Sequence, residues 1–425
     1  MSNRVRLLLV MSECNPEWAS VPRFAYGIYN ALQKNADVTL VTHVRNRPAL
    51  MRAGGTDKII FIDESRALKK YYELIWRLTM DERVNWALLN IFGYPVYAEF
   101  DARVYQRMQC AVRGGAYDVV HAYTPVNPRY PYAIAEACER TPFVLGPVNG
   151  GLPYPPGFAN IARTEFAFLH TLRPLSHLMP GYRRTYARAK KIFAGSAFTY
   201  QLIRRMFPNY AAQVELLHDT GISAEAIVPH HLTDTKTLQL LFVGRLVPLK
   251  GVAMLLDALH VLERETPGKF NLTVVGDGQE RRALEQQAQT LGISERVRFT
   301  GWVAPHETVS FYQNADIFCF PSIREYGGAV VLEAMAAGLP CIVPAYGGIG
   351  EFVTTETGIQ ISIASRERLT RELADGIRQL AQDPARRARM GHAAIQRARE
   401  FTWDAKAEHL MQVYDTLLFT ANGTR

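Results

Sequence analysis

Cysteine is scarce in this chain, five residues in 425, and no two of them stand at paired spacing. Positions 14, 110, 138, 319 and 341 form no C-x-x-C unit and no Cys/His/Asp group with zinc-ligand spacing. A disulfide framework and a structural zinc module therefore find no support, and reduced core thiols in the cytoplasm are the expectation. No apolar run reaches the roughly eighteen residues that a bilayer-spanning helix needs. Residues 1–10 have too short an apolar part and no cleavage site, so no signal peptide is expected. Internal repeats, low-complexity tracts and motifs for a nucleic-acid partner are also missing.

What remains is an ordinary globular composition, 48% hydrophobic and 21% charged, in a chain long enough for two or more domains. The charge is unevenly placed. Residues 1–235 hold 27 Lys/Arg against 19 Asp/Glu, whereas residues 236–425 hold 21 of each. The whole excess of +8 thus lies in the first half, at Lys69-Lys70, Arg183-Arg184, Arg188, Lys190-Lys191 and Arg204-Arg205. That asymmetry points to an anionic partner for that half alone, such as an anionic membrane surface.

Hydrophobic runs at residues 5–11, 37–42, 58–63, 117–123, 142–146, 191–195 and 214–218 predict buried strands, with helical stretches between several of them. Such alternation predicts a parallel, doubly wound sheet whose ligand crevice opens at the strands' carboxyl ends. The loop 12–21, with Ser20 in it, is a candidate site loop on that ground. Residues 65–115 break the alternation with a long aromatic, helical stretch carrying Tyr71-Tyr72, Trp76, Trp86, Phe92, Tyr94 and Tyr97. It reads either as ordinary helix packing or as an amphipathic surface for lipid or an apolar acceptor. Asn149-Gly150-Gly151 follow the fifth strand in a Gly/Pro-rich loop. Residues 229–237 lack periodicity and read as a linker. A second alternation has strands at 240–244, 272–276, 297–300, 317–320 and 341–343. A charged helical region at 366–399 and an amphipathic helix at 401–418 complete the chain.

Two stretches of the second half carry chemistry. In Phe320-Pro-Ser-Ile-Arg-Glu-Tyr-Gly-Gly-Ala-Val-Val-Leu-Glu, a buried strand breaks at a loop carrying Arg324 and Glu325, and Gly327-Gly328 open a helix. Amides at a helix start lack partners within the helix and favour an anion. Glu333 is the polar exception on that apolar helix, suited either to a nearby Arg or to ligand hydroxyls. In Gly244-Arg-Leu-Val-Pro-Leu-Lys-Gly251, Arg245 and Lys250 stand beside a strand end, a pairing that suits a diphosphate.

The pair Glu325 and Glu333, an E-x7-E, together with G-R-L-x-x-x-K-G resembles the signature of retaining glycosyltransferases of family 4, members of glycosyltransferase group 1. The resemblance implies the GT-B architecture: α/β, two Rossmann-like doubly wound parallel-sheet domains facing across a cleft. It places an acceptor domain at 1–228, with 401–425 crossing back to it, and a donor domain at 238–400. Arg245 and Lys250 would bind the donor diphosphate and neutralise the leaving group. Glu333 would hold the ribose hydroxyls, Glu325 the transferred sugar, and the Gly327-Gly328 amides the phosphates. Gly276 and Gly278 of Val-Val-Gly-Asp-Gly would line the donor site, and Trp302 and Val303 would meet the nucleobase, although Trp302 reads equally as a core residue.

The implied reaction is metal-independent and retaining, with no cofactor beyond the donor substrate. No two aspartates stand two apart, so the metal-binding D-x-D of the other glycosyltransferase fold is absent. His121-Ala-Tyr123 stands where many members have H-x-H, so Tyr123 occupies the place of the histidine facing the reacting sugar. His121 is either a cleft residue or a satisfied core histidine. The expected function is transfer of a hexose from a UDP- or GDP-sugar to a glycan or lipid-linked acceptor in surface polysaccharide synthesis, in the cytoplasm or on the inner membrane face. Transfer to a soluble small acceptor, a sugar-nucleotide epimerase and an inactive nucleotide-sugar binding module are the alternatives.

Overall fold

The computed structural model describes residues 4–80, 92–164, 179–228 and 237–422. Contacts divide the chain into two compact units. Met1–Gly151, Arg163–Thr220 and Trp403–Arg425 make the first, and Leu152–Ala162 with Gly221–Thr402 make the second. Each unit is built on its own parallel sheet.

In the first unit the strands are β1 (Arg6–Met11), β2 (Asp37–His43), β3 (Ile59–Ile62), β4 (Val119–Thr124), β5 (Phe143–Val148), β6 (Ala189–Ala194) and β7 (Val214–Leu216). Their order across the sheet is β3-β2-β1-β4-β5-β6-β7. The direction of winding reverses between β1 and β4, and ligand crevices open at such a point. Leu8 and Val10 point into one apolar cluster while Leu7, Leu9 and Met11 point into another. Both faces of the sheet are covered, so these strands read as continuous apolar runs rather than alternating ones.

The second unit contains β8 (Leu238–Val243), β9 (Phe270–Val275), β10 (Val297–Gly301), β11 (Ile317–Cys319), β12 (Cys341–Pro344) and β13 (Gly358–Ile361). The order is β10-β9-β8-β11-β12-β13, with the reversal between β8 and β11. All twelve strands expected from the sequence are present. The edge strand β13, Gly-Ile-Gln-Ile, is too short and too mixed in polarity to stand out.

The helix Trp403–Asn422 belongs to the first unit, where it packs on the helix Val21–Leu32. Ala407, Leu410 and Tyr414 are fully buried, and the Trp403 ring lies 6.0 Å from Phe24. Leu152–Ala162, read from sequence as part of the first domain, groups instead with the second unit. Arg324 and Tyr346 hold it there: Arg324 Nε donates to the Leu152 carbonyl at 3.0 Å, and the Tyr346 hydroxyl to that of Pro153 at 2.9 Å.

Of the aromatic stretch 65–115, the helices Arg66–Met80 and Tyr94–Arg113 are described. Tyr97 is buried and stacks on Tyr130 at 4.7 Å, as ordinary packing requires. Trp76 and Phe92 stay exposed. Trp86 and linker residues 229–236 lie outside the described residues.

Candidate functional site

The two motifs of the second half meet at the reversal of the second sheet. Arg245 and Lys250 follow β8, and Glu325 follows β11, the adjacent strand. Lys250 Nζ pairs with Glu325 Oε2, and both side chains are only 17% exposed. The same ammonium sits 5.0 Å from the Phe320 ring centroid, a cation–π contact. Ser322 Oγ donates to the Leu249 carbonyl at 3.2 Å, and the Ile323 amide donates to the same carbonyl at 2.8 Å. These bonds lock the two loops together. Arg245 is exposed, and its side chain has no hydrogen-bond or ion-pair partner among the described residues.

Backbone packing brings the loops this close. Gly251, between Lys250 and the helix Val252–Glu265, has φ +72°, and a Cβ there would overlap the Pro321 carbonyl. A Cβ on Gly348 would overlap the Tyr326 carbonyl, while the Gly348 amide donates to the Glu325 carbonyl at 3.1 Å. Only glycine permits such approaches. On the other side, the Leu246 amide donates to the Asp277 carbonyl at 2.9 Å, which sets Gly276 and Gly278 beside the Arg245 loop.

The helix Ala329–Ala336 begins one residue after Gly328, which takes a left-handed conformation at φ +68°. Gly327 and Gly328 therefore precede the helix, and its first amides lack intrahelical acceptors. Glu333 lies on this helix, and the Tyr312 hydroxyl donates to its Oε2 at 2.8 Å. Burial, and then the Glu333 charge, push the Tyr312 phenol well above its ordinary range, so it stays a donor. Tyr312 is thus one partner of Glu333.

Arg324 is a bound structural group. Beyond Leu152, its guanidinium donates to the Tyr326 hydroxyl at 2.5 Å and the Tyr154 hydroxyl at 3.4 Å. It also lies over both rings, at 5.0 and 4.5 Å. Trp302 is 74% exposed, so the core reading of that residue does not hold. Val303 is half-buried and packs against the core.

The first-half candidates fall in the first unit and are mostly interior. His121 is fully buried, with Nε2 2.6 Å from the Gly146 carbonyl and Nδ1 2.6 Å from the Tyr414 hydroxyl. A carbonyl only accepts, so Nε2 carries the proton and Nδ1 accepts from Tyr414. Burial pushes the imidazole down to about 4, which keeps it neutral. It is a satisfied core histidine.

Tyr123 is 2% exposed within the same core, and burial raises its phenol. Asn149 is buried as a connector. It donates to Asp219 at 3.0 Å and accepts from Ser196 and Thr199, each at 3.0 Å. Thr199 also binds the Gly150 amide and carbonyl at 3.1 and 3.0 Å, and Gly151 packs near Leu202. Ser20 is exposed and has φ +66°, the one positive φ at a non-glycine among the described residues.

One carboxylate went unnoticed in the sequence. Glu13, two residues beyond β1, has no side-chain hydrogen bond or ion pair among the described residues, and burial raises its carboxyl. Nothing in the local sequence distinguishes it from the surface carboxylate Glu17; only the topology does.

Residues 223–397 match the family described as Glycosyl transferases group 1. The D-inositol 3-phosphate glycosyltransferase of Corynebacterium aurimucosum is 34% identical over 179 residues, 41% of this chain and 42% of that protein. A glycogen synthase of Mycobacterium tuberculosis is 37% identical over 182 residues, 42% of this chain and 43% of the relative. The match thus spans less than half the length of these relatives. In overall fold the chain is similar to the Anabaena protein HepE solved with UDP, with a TM-score of 0.62 at 16% identity, covering 97% of this chain and 100% of that one. The fold is GT-B, and the stretch that matches the group 1 glycosyltransferase family, residues 223–397, carries the Lys250–Glu325 pair and Glu333.

Proposed function

We propose that this chain is a retaining glycosyltransferase that moves a hexose from a UDP- or GDP-sugar to a hydroxyl of a glycan or lipid-linked acceptor. The observation that carries the reading is the meeting of Lys250 and Glu325 at the reversal of the second sheet, with Arg245 unpaired nearby.

In this reading Arg245, Lys250 and the amides after Gly327-Gly328 take the donor diphosphate. Lys250 exchanges Glu325 for phosphate oxygens, which frees the Glu325 carboxylate for hydroxyls of the transferred sugar. Glu333 accepts from the ribose hydroxyls, with Tyr312 holding its second oxygen. Gly276, Gly278, Trp302 and Val303 serve the nucleoside end. As the glycosidic bond to phosphate breaks, charge grows on the leaving diphosphate, where fixed cations and amides stabilise it most. The acceptor hydroxyl attacks from the leaving-group face and its proton passes to a phosphate oxygen. The named relatives act on different acceptors, so their names do not select one for this chain.

Calorimetric titration with UDP, GDP and ADP tests the donor site. One of the three binds the wild type, and Glu333→Ala weakens that nucleotide about 10- to 100-fold, as loss of hydrogen bonds to a charged group requires. A folded wild-type chain that binds none of them would overturn the proposal.

We further propose that the first unit works at an anionic membrane surface, the setting for a lipid-linked acceptor. Support comes from the helix Arg66–Met80, where Leu74, Trp76 and Leu78 are 56%, 43% and 74% exposed and Lys69 and Lys70 lie on the same helix. Among the described residues, no helix is long and apolar enough to cross a membrane. Phosphatidylglycerol vesicles are expected to co-sediment the protein at low ionic strength and to release it at high salt. Trp76→Ser with Leu78→Ser should abolish the low-salt binding. A wild type that ignores the vesicles ends this part of the proposal.

A further inference from the structure

We propose that Glu13 and the loop around it form a site for an uncharged, hydroxyl-rich group, in which the Glu13 carboxylate receives a hydroxyl of the acceptor. This rests on the transferase reading above, and it narrows the acceptor's chemistry at the point of contact.

The position comes from topology. Glu13 lies two residues beyond β1 at the reversal between β1 and β4, the counterpart in the first sheet of the place Arg245 holds beyond β8 in the second. The loop is held on several sides. The Ser12 amide donates to the Thr124 carbonyl at 3.2 Å, and the Glu13 amide to Thr124 Oγ1 at 3.1 Å. Thr124 Oγ1 in turn reaches the Glu13 carbonyl at 3.0 Å, and Asn46 Nδ2 donates to the Ser12 carbonyl, also at 3.0 Å. Asn15 accepts the Glu17 and Trp18 amides at 2.9 and 3.3 Å. Ser20, in its left-handed conformation, ends the loop. Strain of that kind persists only where the surroundings impose it, and it gathers at binding sites.

A backbone fixed so firmly presents a carboxylate that receives no donor among the described residues. Asn46 Oδ1, on the amide that binds Ser12, is likewise buried without a partner. The Glu13 carboxylate is half-buried and Asn46 Oδ1 wholly buried; leaving such acceptors shielded from water and unpaired is unfavourable, and ligand O–H groups relieve it. The groups that sense the Glu13 charge are phenols: Tyr72, Tyr130 and Tyr132. Among the described residues, no cation forms an ion pair with it. Arg45, whose guanidinium lies 3.7 Å from the Tyr72 ring centroid, is committed to Glu64. A phosphate at this point would meet a carboxylate without a compensating cation. Sugar or polyol hydroxyls between phenol rings and a carboxylate meet acceptors and apolar faces.

The test uses the full chain with glucose, maltose, myo-inositol and glucose 6-phosphate as probes, in the presence of the nucleotide that binds. Saturation-transfer NMR is expected to detect a neutral sugar or polyol with the wild type, at least tenfold less of it with Glu13→Gln, and partial recovery with Glu13→Asp. Nucleotide affinity should change by less than twofold. Because the carboxyl titrates above its ordinary range, sugar binding by the wild type should fall as pH drops through that raised value, and Glu13→Gln should show no such step.

A folding readout separates a site from a structural prop. Burial disfavours the charged carboxylate, so it lowers stability as pH rises through its folded pKa. Glu13→Gln should therefore raise Tm at pH 7.5, with the gain vanishing near pH 4. A wild type that binds none of the neutral probes, one that prefers glucose 6-phosphate, or a Glu13→Gln variant with unchanged binding would each overturn the inference. If nucleotide binding is intact in that event, the donor-site reading stands; if the nucleotide itself does not bind, that reading has failed first.

Discussion

Lys250→Ala is expected to slow release of nucleoside diphosphate from the sugar nucleotide by about two to three orders of magnitude, the scale seen when one group stabilising developing charge is removed. In the proposed reaction the lysine acts most strongly as the glycosidic bond breaks, so kcat falls more than KM rises. The same substitution strands Glu325, which is largely buried and has Lys250 as its ion-pair partner. Removing one member of such a pair costs about 3 kcal/mol when the survivor stays charged.

The two effects separate in the double variant. Lys250→Ala with Glu325→Gln should regain most of the lost Tm, because no unpaired charge remains, yet should regain none of the rate. Recovery of rate alongside stability would mean that Lys250 serves only to neutralise Glu325, and the diphosphate role would fall.

The second large effect is conformational. Gly251→Ala places a methyl group against the Pro321 carbonyl and 2.9 Å from Met254 Cε, in a left-handed backbone. The conformation alone costs about 1–2 kcal/mol. Displacement of the β11 loop adds to it, so a total near 3 kcal/mol or more is expected, with a Tm lower by roughly 10 °C.

Gly292→Ala supplies the control. Gly292 has φ +69° in the same unit, but no atom lies within 4 Å of the added methyl. It should lose only the conformational part, about 1–2 kcal/mol. Equal losses in the two variants, measured by urea unfolding monitored in the second unit, would show that the close approach at Pro321 contributes nothing. Because Gly251 adjoins Lys250, its variant should also weaken nucleotide binding, whereas the Gly292 variant should not.

The second half was the more legible part of the sequence, and the reason is local. Arg245, Lys250, Glu325 and Glu333 sit in short strand-turn-helix segments whose glycines and charges interrupt apolar runs, so they stand out, and the resemblance to a known signature suggests their roles. The first half offers no such contrast. In a parallel sheet covered on both faces, every strand residue is apolar or satisfied. A histidine such as His121 then looks the same in sequence whether it faces a crevice or, as here, binds Gly146 and Tyr414. Its partner Tyr414 lies 293 residues away, beyond the reach of any periodicity. Glu13 was missed for the converse reason: its surroundings are assembled by the β1–β4 reversal and by helices far along the chain. The grouping of Leu152–Ala162 with the second unit depends on Arg324, about 170 residues later, and no composition signal marks it.

The placement of the helix Trp403–Asn422 bears on how the chain assembles as it leaves the ribosome. The first unit's opening strands emerge early, but the apolar flank that receives Ala407, Leu410 and Tyr414 has no cover until the last helix is made. Gly221–Thr402 lies between, a delay of roughly 10 to 40 s at ordinary rates of synthesis. The unit that begins first therefore closes last, after the second unit's sheet is complete. During that interval Leu7, Leu9, Ile28 and their neighbours are the surface a chaperone would meet.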